Sequence, residues 1–82
     1  MENQKPVWSE RMKHLRKSNN LSQTDVAEVL HCSQAAYGMY ELGKRKISAE
    51  KLLILARYYH VSMDYMMGLI KLENSRGCLF YP

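Results

Sequence analysis

The chain has 82 residues, enough for one domain at most. Hydrophobic residues make up 46% of it, too many for a disordered tail, and no apolar run approaches the roughly 18 residues needed to span a bilayer. Lys and Arg number 12 against 8 Asp and Glu, a net charge of +4 that suits a polyanionic partner and equally an ordinary solvated basic face.

The opening "MENQKPVWSE" lacks the basic start and apolar block of a secretion signal, so a soluble cytoplasmic protein with no membrane association is expected. Cys32 and Cys78 stand too far apart, and are too few, for a disulfide framework. His31-Cys32 has no second CxxC or HxxxH pair to complete four ligands, so no metal is expected. The three histidines are scattered, no nucleophile–base pair is suggested, and no glycine-rich phosphate loop occurs. Catalysis is therefore not expected, nor a cofactor or small-molecule ligand.

Every segment reads helical. From Trp8 to about Ser18, Trp8, Met12 and Leu15 recur at one helical face, and Asn19-Asn20 can end the helix in left-handed backbone. Leu21 is expected to plug back into the core. Ser22-Gln23-Thr24-Asp25 is a capping-box pattern opening a second helix with inner face Val26, Ala27 and Leu30. After a turn at His31-Cys32, Ser33 can cap a third helix, 33–42, that buries Ala36, Tyr37 and Tyr40 and ends at Gly43.

"KRKIS" is a loop anchored by Ile47. Ser48 caps a fourth helix, where Leu52, Leu53, Leu55, Ala56 and Tyr59 form a broad apolar stripe. Val61 is a second anchor, and Ser62 caps a short fifth helix, "MDYMM", ended by Gly68. Short helices with tight connections predict a compact all-α domain over residues 1–69. A C-terminal tail, 70–82, ends in the apolar "CLFYP" and is a candidate dimer seam.

The second and third helices, about three residues apart, have the outline of a helix-turn-helix. "LSQTDVAEVLHCSQAAYGMYELGKRKIS" followed by "LLILARYYHVSMDYMMGL" resembles the Cro/C1-type (XRE) helix-turn-helix family of phage and bacterial repressors, from about Trp8 to Leu69. The resemblance implies a five-helix lambda-repressor-like DNA-binding domain that inserts helix 33–42 into the major groove, with double-stranded DNA as partner. A homodimer on an inverted-repeat operator is the arrangement such short readers use.

Residue by residue, the resemblance makes Gln34 the foremost base reader. Ala35, Gly38 and Met39 continue the outer face. Ala35 and Met39 have only apolar contact to offer, such as a thymine methyl. Gly38, an outlier that costs about 1 kcal/mol in a helix, points to a close approach of the DNA there. Met39 serves equally well as a filler against the DNA backbone. Gln23, Ser33, Lys44, Arg45 and Lys46 match phosphate-contacting positions, to which Arg11, Lys13 and Lys17 can add. Glu41 lies where the helix dipole disfavours an anion, and the family pattern pairs it with Arg16 as a structural bridge. Two positions depart from the pattern: Asn20 stands where glycine is common, and Tyr37 where Ile or Val is usual. The alternative is an interaction module of the same fold, an antitoxin or adaptor, in which DNA binding is secondary.

Overall fold

Ser22, Ser33, Ser48 and Ser62 each sit one residue before a helix, in extended backbone, and each hydroxyl accepts from the backbone N–H three residues on. Each satisfies a donor the helix cannot, a contribution of about 1 kcal/mol apiece. At Ser22 the exchange is reciprocal: Asp25 Oδ2 accepts from the Ser22 backbone N–H at 2.9 Å. The backbone and hydroxyl hydrogen bonds from Ser22 hold the Asp25 carboxyl below its ordinary range.

The computed structural model describes residues 5–70. These residues form five helices: α1 (Val7–Ser18), α2 (Gln23–Val29), α3 (Gln34–Leu42), α4 (Ala49–Tyr59) and α5 (Met63–Met67). The all-α, five-helix expectation holds. The "CLFYP" segment, and with it the tail as a dimer seam, lies outside the described residues.

The connections are tight and turn through left-handed backbone. Gly43 (φ 76°) closes α3 and Gly68 (φ 88°) closes α5, while Asn20, His31 and His60 adopt the same region with side chains attached. At Asn20 the residue that departs from the family pattern takes up the geometry glycine would have supplied. Gly43 meets a second demand, since a Cβ there would stand 2.7 Å from the Pro6 ring at the start of α1.

The core is the inner stripe of every helix: Met12 and Leu15, Val26 and Ala27, Tyr37 and Tyr40, Leu52, Leu55 and Ala56, Tyr65 and Met66. Leu30, Ile47 and Val61 close it from the connections, and Trp8, Leu21 and Ile70 pack against it partly buried. Ala36 and Leu53, expected inside, are half-buried.

Polar ties hold α1 to its neighbours. Ser9, fully buried, donates its hydroxyl to the Tyr40 carbonyl at 2.8 Å, joining α1 to α3. Arg11 donates to the carbonyls of Tyr65 (2.7 Å) and Ile70 (3.1 Å), and its guanidinium lies 4.1 Å from the Tyr65 ring centroid. That engagement sits at the C-terminal end of α5, where the helix dipole favours a cation. Arg11 is thereby occupied on the α5 side, away from the backbone-contacting task it was given above. Among the described residues no helix is long and apolar enough to cross a membrane.

Candidate nucleic-acid interface

The capping serines and the left-handed corner at His31 set α3 against α2 so that the first turn of α3 faces outward. Ser33, Gln34 and Ala35 are exposed, Gly38 is half-buried, and Met39 and Leu42 are 39% and 52% exposed. These residues share one face of α3. Tyr37 and Tyr40 point inward and are buried, as is Glu41, which lies on the edge of α3 that meets α2. Lys44, Arg45 and Lys46 follow immediately, all exposed. The structure therefore brings the base-facing and phosphate-facing candidates onto one surface, with neutral polar groups at one end and cations at the other.

Beneath this surface lies a buried ion pair. Arg16 donates from Nε to Glu41 Oε2 at 2.7 Å and from Nη2 to Oε1 at 3.2 Å, a two-point engagement between α1 and α3. Arg16 Nη1 also donates to the Leu21 carbonyl at 3.0 Å, holding the chain that leads into α2. The two side chains are 13% and 3% exposed. Burial alone pushes the Glu41 carboxyl up; the hydrogen bonds it accepts and the Arg16 charge overcome this and hold it below the usual carboxylate range. Tyr37 is wholly buried, so the core makes room for the larger ring and its hydroxyl does not reach solvent. Burial, together with the adjacent Glu41 carboxylate, pushes that phenol far above its ordinary range.

Gln23 stands between the ion pair and the outer face. Its amide nitrogen donates to Glu41 Oε1 at 3.1 Å, and its amide oxygen accepts from Gln34 Nε2. One N–H of Gln23 is left over for an anion such as a phosphate. The side of Gly38 that a Cβ would fill is taken by this arrangement: the nearest atom is Gln23 Oε1, at 3.3 Å. The glycine thus accommodates a neighbouring side chain of its own fold. The Gln23–Glu41 contact escaped the sequence reading. The available signal was the spacing of Gln34, Gly38 and Glu41, which places all three along the edge of α3 that meets α2.

The sequence pattern of the HTH_3 helix-turn-helix family matches residues 12–66. The chain belongs to the Cro/C1-type helix-turn-helix family. Its members include transcriptional regulators and it is not a family of enzymes. The HTH-type transcriptional regulator YobD of Bacillus subtilis is 40% identical over 63 residues, covering 77% of this chain and 56% of YobD. The HTH-type transcriptional activator BcrR of Enterococcus faecalis is 30% identical over 61 residues, 74% of this chain and 30% of BcrR. The crystal structure of a transcriptional regulator from Listeria innocua superposes with a TM-score of 0.75 at 26% identity, covering 95% of this chain and 74% of that one. The chain thus spans about half the length of YobD. Within the Cro/C1-type domain, α2 and α3 are the two helices of the helix-turn-helix.

Proposed function

We propose that this Cro/C1-type domain is a sequence-specific DNA-binding transcriptional regulator, acting in the cytoplasm as a repressor by inserting α3 into the major groove. One observation carries the reading: α3 presents an exposed Gln34 at its first turn and is followed at its other end by exposed Lys44, Arg45 and Lys46. A Gln amide pairs with adenine through two hydrogen bonds, worth about 1–3 kcal/mol of discrimination. Ala35 and Met39 then contribute apolar contact, and Gly38 leaves room for the Gln23 side chain beside Gln34. The free N–H of Gln23, the Ser33 hydroxyl and the three cations take the phosphates, which position the helix without reading sequence.

Repression needs nothing beyond this surface, because a domain bound over a promoter excludes other proteins from it. BcrR carries the name of an activator, so a reporter gene behind the bound site decides the sign: expression falling when the protein is supplied supports repression, and expression rising refutes it.

One α3 reads few base pairs, and a two-fold dimer reading half-sites about 34 Å apart extends the site to an inverted repeat. Val7, Met67 and Leu69 supply an apolar surface for this: they are 44%, 49% and 74% exposed, and Val7 lies against Gly68. The same surface supports the second reading, a module that binds a different protein. Selection of bound sites from random duplex DNA separates the two. An enriched inverted repeat supports the regulator; no enrichment leaves the interaction module. A single-chain mass by sedimentation would refute the dimer.

A further inference from the structure

Ala35, Met39 and Leu42 fall at i, i+4 and i+7, a single row along the outer face of α3. All three are exposed. The neighbouring row, Gln34, Gly38 and Glu41, faces α2 through the contacts of Gln23. The outer row carries no strong hydrogen-bonding group. At about 1.5 Å per residue it runs for about 10 Å, the length of about three base steps of about 3.4 Å each. Its ends are polar: Gln34 lies beside one, and Lys44, Arg45 and Lys46 follow the other. Groups suited to a nucleic acid thus flank an apolar strip, and the strip calls for an apolar feature on the same partner.

The major groove offers one such feature, the methyl group that thymine carries at C5. Unmodified cytosine has only hydrogen at the equivalent ring position. Cytosine methylated there presents the same group in the same place. We propose that the row Ala35–Met39–Leu42 makes the affinity of this domain depend on C5 methylation of cytosine in its DNA site. The inference rests on the major-groove position proposed for α3. It adds Leu42 to the reading surface, and a covalent mark on the DNA to what is read. Side chains without a strong donor or acceptor do not separate thymine from 5-methylcytosine, since both present a methyl. Cytosine under the row is therefore a weak match until it is methylated. Each methyl buried against the row is worth about four-fold in affinity.

The test uses the full chain and sites selected from random duplex DNA. Each thymine of a selected site is replaced singly by uracil. Each pyrimidine position is also tried as cytosine and as 5-methylcytosine. Both exchanges alter the C5 group and leave the pairing edge intact. At about two or three neighbouring pairs, uracil is expected to weaken binding about four-fold, and 5-methylcytosine to bind about four-fold tighter than cytosine. Met39→Ala and Leu42→Ala are each expected to remove the effect at one of these pairs and spare the others. Both side chains are exposed, so both variants are expected to fold, which helix content by circular dichroism checks. An enriched site indifferent to these exchanges overturns methyl reading and leaves the regulator standing. Weaker binding to 5-methylcytosine than to cytosine overturns it too. Methyl effects that persist undiminished in both folded variants also overturn it, because the methyls then act through the shape of the DNA. No enriched site overturns the DNA-reading role on which the inference rests.

Discussion

Arg16 and Glu41, 25 residues apart in sequence, meet through two hydrogen bonds in a site where the carboxylate is only 3% exposed. Removing the arginine strands a charge that water cannot reach. Arg16→Met is therefore expected to cost on the order of 3 kcal/mol in a urea denaturation experiment. Replacing both partners with apolar residues of similar volume is expected to cost less than the single change, because no buried charge is then left uncompensated. A neutral Arg16→Met would mean that the pair is dispensable.

The same pair sets an acid limit. The Glu41 carboxyl titrates below its ordinary 4.5 when folded, so the folded state binds fewer protons there than the unfolded state. Its contribution is complete above about pH 4.5 and is lost as pH falls through the folded value. Asp25 shifts in the same direction and adds to the loss. Stability measured from pH 6 downward is expected to fall in this range, and an Arg16→Met variant is expected to fall less steeply. Equal slopes would assign the acid sensitivity elsewhere.

His60 ends α4 at φ 61° with a side chain attached. A left-handed residue other than glycine costs about 1–2 kcal/mol, and glycine gives back part of that through its freer unfolded chain. His60→Gly is expected to raise stability by about 0.5–1 kcal/mol, read as a higher thermal midpoint. A lower midpoint would show that the imidazole makes a compensating contact.

Charge and readout at the interface separate by salt. Lys44→Ala is expected to weaken binding to all DNA sequences alike and to reduce the slope of log K against log salt by about 0.9. Gln34→Ala is expected to lower affinity for the selected site and to leave non-specific binding and the salt slope unchanged. Isotherms at several salt concentrations, on selected and scrambled duplexes, measure both. Equal losses on the two duplexes would remove Gln34 from base reading.

The start of each of α2 to α5 was legible because a serine before an apolar-periodic run has one strong local meaning. The core stripes followed from period, as Met12 with Leu15 and Val26 with Ala27 illustrate. The turn at His31-Cys32 was legible, but the left-handed backbone that His31 and His60 adopt was not, since glycine or asparagine is the usual residue there. Arg11 looked like one more cation on a basic helix; its contact with the end of α5 depends on how two distant helices cross. Gly38 was noticed as an outlier, but the neighbour responsible, Gln23, comes from the adjacent helix. What sequence patterns omit here is the angle between helices, and the hydrogen bonds of Gln23 to Glu41 and Gln34 depend on that angle.

Both ties from α1 grip α3 near its end, Ser9 at Tyr40 and Arg16 at Glu41, with Tyr37 packed one turn before. Gln34 and Ala35 project from the opposite end into solvent. α3 is thus gripped by α1 near its C-terminal end, while its first turn is tied to α2 through the Gln34–Gln23 hydrogen bond. Residues on its outer face can be exchanged without loosening this grip, so retargeting and folding are separable problems in this domain. Redesign for a new site therefore has a free hand at Ala35 and Met39, and is constrained at Gln34 and Gly38, where α3 meets the neighbouring helix.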